Sequence, residues 1–369
     1  MASDKLTRLL RPDISTFQGY TPVEPFERLS EKLGIPLDQI VKLDANENPY
    51  GCSPRAQNAV AEFNRYHIYP DSYGVELCEA LEKFLSVSRT QIALGNGSDE
   101  LLDFLCRLLV SPGDKVVTAV PTFPMYRFNT ASFGGQIVEV PRDENFEVQL
   151  EPLLAAIDDR TKMVMLATPN NPTGNPIAPE HVRRLLETGA VVVVDEAYAE
   201  FAGFSYASWA KDYENIVVLR TFSKWAALAG LRVGYGVFHP NLIQHFWRIK
   251  PPYNVNVAAQ AAAVASLADV DYLMGNVRRI VAERERLSGE LKKLPYLQVY
   301  PSAANYIYIK FLRGDALAVK KALEKRGVFV RYYDEAYLRG GFRITVGKPE
   351  HSEALLAGMA EITKRMGIG

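Results

Sequence analysis

The stretch VVLRTFSKWAALAGLRVGYG, residues 217–236, places a lysine where an apolar, β-branched run ends. The run predicts a buried strand that stops among small residues at Ser223 and Lys224, and a second strand-like segment begins at Arg232. An amine in a dry pocket loses the solvation of its charged form and becomes a nucleophile near neutral pH. Ser223 and Arg232 together suit a phosphate monoester. The stretch therefore indicates Schiff-base chemistry at Lys224, although a lone lysine at a strand end is more often a surface charge.

Three other apolar runs, at 115–120, 163–167 and 191–194, alternate with helical patterns along the chain. This alternation is typical of right-handed βα crossovers and a mainly parallel sheet. Because open α/β sheets bind ligands at the carboxyl ends of their strands, the residues that follow these runs are candidates for a ligand site.

Two polar residues follow these apolar runs closely. Asn171 lies among Pro and Gly turn formers after the run 163–167, where an asparagine is most often only a turn residue. Asp195 follows four valines, and a carboxylate at the end of a strand buried on both faces is costly unless it meets a cation. The sequence therefore predicts a cationic group beside Asp195.

A third candidate is the glycine-containing helix start at residues 94–100. The amides of Gly97, Ser98 and Asp99, with the helix dipole, would form an anion site. A capped helix start is the commoner explanation of such a pattern when it stands alone.

Composition excludes several classes of function. The 369 residues carry 42 Lys+Arg and 43 Asp+Glu, so a net charge of -1 argues against nucleic acid as a partner. Three widely spaced cysteines and five histidines show neither a disulfide framework nor metal-ligand spacing, and we expect no metal. The first residues lack an apolar signal region and no run is apolar enough to span a bilayer, so we expect a soluble, cytoplasmic protein without a membrane partner.

Taken in order, these motifs and the loop Leu-Asp-Ala-Asn-Glu-Asn-Pro-Tyr-Gly at 43–51 resemble the class I/II aminotransferases of the histidinol-phosphate subgroup. The resemblance covers nearly the whole chain. It implies the fold-type I architecture of enzymes dependent on pyridoxal 5'-phosphate: a large α/β domain with a mainly parallel sheet flanked by helices, plus a smaller α+β domain built from both chain ends. The expected divisions are an arm and part of the small domain at 1–45, the large cofactor-binding domain at 46–275, and the small domain at 276–369.

The resemblance also implies roles for the cofactor site. Lys224 would hold the cofactor covalently and move the proton during catalysis, Asp195 would pair with the ring nitrogen, and Asn171 and Tyr198 would bind the phenolic oxygen. Tyr126 would stack on the ring. The phosphate would be bound by a set of six residues, namely Gly97, Ser98, Asp99, Ser223, Arg232 and, across a homodimer interface, Tyr69.

The implied reaction is transamination of L-histidinol phosphate with 2-oxoglutarate, which gives imidazole acetol phosphate and glutamate in histidine biosynthesis. The implied substrate residues are Tyr20, Asn171, Arg331 and Arg343. The two arginines lie on strands that are otherwise apolar, so they meet either internal carboxylates or an anionic substrate. Val23 follows Tyr20-Thr21-Pro22 where the family commonly has Gly, which leaves the pose of this arm open.

Three alternatives remain at this stage. An aromatic amino acid aminotransferase and a threonine-phosphate-type decarboxylase would share these motifs. A regulatory module built on an aminotransferase-like domain would need a nucleic-acid-binding segment, and the short, non-basic N-terminus offers none.

Overall fold

The computed structural model describes Leu6, residues 8–11 and residues 24–368, which form two β-sheets with surrounding helices. Tyr20 lies outside the described residues. The strands are β1 (Val41–Leu43), β2 (Ile92–Gly95), β3 (Lys115–Val120), β4 (Gln136–Pro141), β5 (Thr161–Ala167), β6 (Val191–Asp195), β7 (Ile216–Thr221), β8 (Gly234–Phe238), β9 (Leu297–Val299), β10 (Tyr306–Phe311), β11 (Val328–Tyr333) and β12 (Gly341–Thr345).

Helices connect most of these strands. The α-helices in the described ranges are Phe26–Leu33, Pro54–Ala61, Val75–Leu85, Ser98–Leu109, Met125–Ser132, Leu150–Ala155, Pro179–Leu186, Ala199–Ala202, Pro240–Ile249, Val257–Leu267, Val270–Lys292, Ala316–Glu324 and Pro349–Arg365. Short 3-10 helices occur at Leu37–Gln39, Arg89–Gln91, Ala207–Lys211 and Ala229–Leu231.

The larger sheet has seven strands in the order β2-β8-β7-β6-β5-β3-β4. Neighbours from β4 through β7 are parallel, and β8 runs antiparallel to both β7 and β2. Val192 and Val194 pack into one apolar cluster and Val193 into another, so β6 is buried on both faces. The predicted α/β class with a mainly parallel sheet is confirmed. The ends of β5, β6 and β7 consequently lie side by side.

The smaller sheet has five strands in the order β1-β11-β12-β10-β9. β1 comes from the first part of the chain and pairs in parallel with β11, whereas the other pairs are antiparallel. The helix Val270–Lys292 leads into this sheet and contains the expected division at 275/276. Both chain ends thus contribute to the smaller sheet, while the exact domain limits stay predictions.

Within the described residues, no single helix is both long and apolar enough to cross a membrane. The helices Val257–Leu267 and Val270–Lys292 reach such a length and apolar composition only as a pair, and they meet at a bend of 82°.

Candidate active site

A cavity of about 250 Å³ lies where the carboxyl ends of β5, β6 and β7 face the smaller sheet. Ten of the residues predicted for the site line it, namely Ser98, Asp99, Asn171, Asp195, Tyr198, Ser223, Lys224, Arg232, Arg331 and Arg343. The two sheets therefore supply opposite walls of one cavity, as expected for a ligand held at strand ends.

Lys224 lies just beyond β7, and its Nζ is 3.4 Å from the carbonyl oxygen of Ala45. Burial, reinforced by the charge of Arg343, lowers the pKa of this amine to about 8. A substantial fraction of the amine is thus neutral in mildly alkaline solution, which is the form that attacks a carbonyl carbon.

Asp195 is the last residue of β6 and is 5% exposed. Its Oδ2 accepts a hydrogen bond from the Tyr126 hydroxyl at 2.9 Å, and its Oδ1 accepts one from the Ala197 amide at 3.2 Å. Burial raises the pKa of the carboxyl to about 6 despite these two donors. In the described part of the chain no cationic side chain forms an ion pair with Asp195, so the carboxylate suits a cation supplied by a ligand.

The start of the helix Ser98–Leu109, with Gly97, Gly234 and Arg232, forms an open space that we call the phosphate cradle. A side chain on either glycine would fill it. Gly97 has φ +79°, and a Cβ on it would collide with the guanidinium of Arg232. A Cβ on Gly234 would come within 2.6 Å of the Ser98 amide nitrogen. Arg232 Nη2 donates to Asp99 Oδ2 at 3.1 Å, which holds the guanidinium at this helix start. The Gly97 amide donates to the Gly95 carbonyl at 2.8 Å, which leaves the first-turn amides from Ser98 onward for an anion. These amides, the helix dipole and the Arg232 cation suit a phosphate group.

Asn171 and Arg343 meet across the cavity. Arg343 Nη1 donates to Asn171 Oδ1 at 2.8 Å, and Nη2 donates to the Asp44 carbonyl at 2.5 Å. A guanidinium can only donate, so the oxygen of the Asn171 amide faces Arg343 and its NH₂ group remains available to a ligand oxygen.

Asn46 links the first cavity loop to both walls, and the sequence did not single it out. Its φ is 55°, in the left-handed region. Its side-chain Nδ2 donates to the Tyr198 hydroxyl at 2.9 Å, and its backbone N–H donates to the Thr345 hydroxyl at 2.9 Å. Only the hint of the Asn-Glu-Asn-Pro loop pointed to this region, because the contacts are with residues more than a hundred positions away.

Tyr126 does not lie in the cavity wall, in contrast to the prediction that it covers a ring face. It is 1% exposed and sits behind Asp195, whereas Phe123 lines the cavity. The reason is local: Phe123 precedes the helix Met125–Ser132, and the first turn of that helix directs Tyr126 into the protein interior.

Tyr69 lies on the surface, where it is 79% exposed and stacks on Tyr253 with ring centroids 4.8 Å apart. It does not line the cavity of its own chain. Arg331 and Arg343 are directly opposite each other in the β11–β12 pairing, so two guanidinium groups enter the cavity from adjacent strands.

The donor set fits pyridoxal phosphate. A partly neutral lysine, a buried carboxylate without a cationic partner and an open helix start match its aldehyde, ring nitrogen and phosphate, respectively. The described residues contain no group of three or more His, Cys, Asp or Glu side chains arranged to hold a metal ion.

Comparisons with known proteins agree with this geometry. The histidinol-phosphate aminotransferase of Roseiflexus castenholzii is 48% identical over 366 residues, which cover 97% of this chain and 99% of the relative. The crystal structure of histidinol-phosphate aminotransferase from Sinorhizobium meliloti in complex with pyridoxal-5'-phosphate superimposes with a TM-score of 0.86 at 30% identity, covering 97% of this chain and 98% of that one.

A second solved structure shares the fold alone. L-threonine-O-3-phosphate decarboxylase from Porphyromonas gingivalis has a TM-score of 0.78 at 21% identity, covering 88% of this chain and all of that one. The family described as aminotransferase class I and II matches residues 38–359. The chain therefore belongs to the class I and II aminotransferase family.

Proposed function

We propose that this aminotransferase transfers the amino group of L-histidinol phosphate to 2-oxoglutarate, giving imidazole acetol phosphate and glutamate. The observation that carries the proposal is the pairing of Arg331 with Arg343 in one cavity with Lys224. A phosphate monoester carries up to two charges near pH 7, so two guanidinium groups suit it better than one. Both relatives are named histidinol-phosphate aminotransferase, which supports the same substrate.

The roles of the cofactor residues follow from their positions. Pyridoxal phosphate, when bound, supplies the electron sink for deprotonation beside the amine. Lys224 would bind it and then, as a free amine, move the proton at the reacting carbon. Asp195 would keep the ring nitrogen protonated, and Phe123, rather than Tyr126, would cover the ring. The phosphate would be held by the helix start at Ser98 with Ser223 and Arg232, and the phenolic oxygen by Asn171 and Tyr198.

Arg343 would serve both halves of the reaction. 2-Oxoglutarate presents an α-carboxylate, whereas histidinol phosphate presents only its phosphate, and a planar guanidinium pairs bidentately with either. Arg343 is held in place by Asn171 and the Asp44 carbonyl, so its orientation is set before a substrate arrives. Arg331 would supply a second charge to the phosphate dianion, and the uncharged side chain of phenylalanine does not require one.

A homodimer is part of the proposal. Aromatic and aliphatic side chains are exposed together on one surface, namely Tyr66, Ile68, Tyr69, Tyr73 and Tyr253. Exposure of such a group is typical of a surface that another protein covers. A second copy would bring Tyr69 to the cofactor phosphate of its partner.

Steady-state kinetics of substrate use test the proposed substrate. We expect Arg331→Ala to lower kcat/KM for histidinol phosphate roughly tenfold or more while changing that for phenylalanine little, because loss of one charge-assisted pair affects only the dianion. Arg343→Ala should lower kcat/KM for histidinol phosphate and for 2-oxoglutarate. The control is Arg339→Ala, which removes an exposed arginine of the same segment that pairs with Asp334 outside the cavity.

Three results would reject the proposal. An unchanged value for histidinol phosphate in Arg331→Ala, or a parent enzyme that prefers phenylalanine by more than about tenfold, would favour an aromatic aminotransferase. Release of carbon dioxide from an amino acid phosphate without formation of glutamate would identify a decarboxylase.

A further inference from the structure

A cluster of four buried polar side chains lies beside the cofactor cavity and has no part in the chemistry above. Glu196, Glu200, Arg220 and Tyr235 are 1%, 8%, 6% and 0% exposed. Arg220 Nη2 donates to Glu200 Oε1 at 2.8 Å, and its Nε is 3.8 Å from Glu196 Oε2. One guanidinium therefore joins two carboxylates in the protein interior.

The cluster bridges the ends of two strands that carry cofactor residues. Glu196 directly follows Asp195, and its amide donates to the Leu219 carbonyl of β7 at 2.8 Å. Arg220 directly precedes Thr221, which lines the cavity, and is four residues before Lys224. The ends of β6 and β7 are thus joined twice, by a backbone hydrogen bond and by ion pairs between side chains.

Tyr235 and Glu200 place the cluster next to two further elements of the fold. Tyr235 is the residue opposite Arg220 in the β7–β8 pairing and follows Gly234, beside which the Ser98 amide lies. Glu200 belongs to the helix Ala199–Ala202, which begins directly after Tyr198. Each member is therefore one or two positions from a residue of the cavity or its phosphate cradle.

Electrostatics keep Arg220 charged. Burial lowers the pKa of this guanidinium, but the carboxylates of Glu200 and Glu196 outweigh it and raise the pKa above its usual value. Burial raises the pKa of Glu196 to about 7, and Arg220 opposes that rise. Glu196 also accepts hydrogen bonds from the Ser205 hydroxyl at 2.5 Å and from the Tyr206 amide. Removal of one partner would leave a buried charge without compensation, so the strand ends would shift or admit water.

We propose that Arg220, held by Glu200 and Glu196, is a positioning residue that fixes the strand ends carrying Asp195 and Lys224 relative to each other. The proposal concerns the binding of pyridoxal phosphate and is independent of which amine the enzyme uses. Its failure would thus leave the substrate proposal intact, and failure of the substrate proposal would leave it intact.

A second arginine that joins two carboxylates, at a partly exposed site, separates positioning from general stability. Arg286 also joins two carboxylates, Glu283 at 2.8 Å and Glu353 at 2.7 Å, between the helices Val270–Lys292 and Pro349–Arg365. None of these three residues lines the cavity. Loss of either guanidinium fork should reduce stability, but only loss at Arg220 should disturb the cofactor site.

The test compares the apoproteins of the parent, Arg220→Lys, Glu200→Gln and Arg286→Lys. Lysine keeps the charge but cannot reach two carboxylates as a planar fork does. We expect the dissociation constant for pyridoxal phosphate to rise roughly tenfold or more in Arg220→Lys and Glu200→Gln, and to change by less than about twofold in Arg286→Lys. The visible circular dichroism of the bound cofactor should change only in the first two variants, because its surroundings change only there.

The thermal unfolding midpoint of each apoprotein provides the reference. If variants at Arg220 and Arg286 lose the same amount of thermal midpoint and show equal changes in cofactor affinity, the cluster only stabilises the fold. That result would overturn the proposal. Parent-like affinity and dichroism in Arg220→Lys would overturn it as well. If neither Arg220→Lys nor Glu200→Gln yields folded protein, the cluster is required for folding of the whole chain, and a specific positioning role is rejected.

Discussion

Burial shifts the pKa values of two cavity residues in opposite directions. It lowers the pKa of Lys224 to about 8 and raises the pKa of Asp195 to about 6, with the charge of Arg343 contributing to the first shift. Between these two values most of the amine is still protonated and most of the carboxyl is ionised. The apoprotein therefore presents a cation to the aldehyde and an anion to the ring nitrogen, and each can be tested by its pH dependence.

The first prediction concerns Lys224. Because only the neutral amine attacks an aldehyde, the rate at which apoprotein binds pyridoxal phosphate covalently should increase as pH rises through about 8. Lys224→Ala should still bind the cofactor noncovalently, through the phosphate cradle and the ring contacts, without the visible absorbance of the covalent form and without measurable transamination. Lys293→Ala, at an exposed helix end, should behave as the parent. Unchanged transamination in Lys224→Ala would contradict the assignment.

The second prediction concerns Asp195. Its carboxyl must be ionised to pair with a protonated ring nitrogen, so cofactor affinity of the parent should fall as pH decreases through about 6. Asp195→Asn should lose this dependence and should transaminate roughly a hundredfold more slowly or worse, because an amide cannot stabilise the ring cation. Equilibrium titrations between pH 5 and 8, together with single-turnover rates, measure both effects. A variant within about tenfold of the parent rate would show that Asp195 is only structural.

Lys224 and Asp195 were predictable from sequence, whereas Phe123 and Asn46 were not, for a physical reason. A charged side chain at the end of a buried strand lies at the carboxyl edge of the sheet, where open α/β sheets bind their ligands. Phe123 and Tyr126 both follow β3, and apolar character does not distinguish the cavity wall from the interior behind Asp195. The loop at 43–51 pointed to the region of Asn46, but the role of this residue could not be recognised, because it depends on contacts with Tyr198 and Thr345 from distant parts of the chain.

At the scale of elements, the long apolar runs were assigned correctly and short segments were missed. The runs at 115–120, 163–167 and 191–194 correspond to β3, β5 and β6. β2 has four residues and β4 is partly exposed, so neither shows the continuous apolar character of a central strand. The helix start predicted within residues 94–100 lies at Ser98, directly after Gly97 with its positive φ.

A helix start also carries the third prediction. Gly97→Ala should weaken binding of pyridoxal phosphate to the apoprotein roughly tenfold or more, because the added methyl would displace Arg232 from the cradle. Gly189→Ala is the control, since Gly189 has the same φ of +79° but open space around its Cβ position, and it reports the cost of backbone strain alone. Equal affinity in both variants, measured by equilibrium titration, would contradict a phosphate cradle at this helix start.

At the scale of the whole molecule, the cavity of one chain contains Lys224 and Asp195 but not Tyr69. Tyr69 is instead part of an exposed aromatic surface that includes Tyr66 and Tyr253. A two-fold dimer presents the same surface on both subunits, so each copy could give Tyr69 to the other and receive one in return. The fourth prediction follows from that exchange.

Lys224→Ala and Tyr69→Ala should each be inactive or nearly so, yet a mixture that is dissociated and reassociated should regain activity. In a heterodimer one site combines two substitutions, whereas the other contains Lys224 from one subunit and Tyr69 from its partner. Random pairing makes half of the dimers mixed and restores half of their sites, so about a quarter of parental activity is expected. The matched control mixes Lys224→Ala with Asp195→Asn. Both of these residues belong to the cavity of one chain, so exchange of subunits restores no parental site there. Recovery in the control equal to that with Tyr69→Ala, or no recovery with Tyr69→Ala once heterodimers are confirmed by mass, would place Tyr69 outside the shared site.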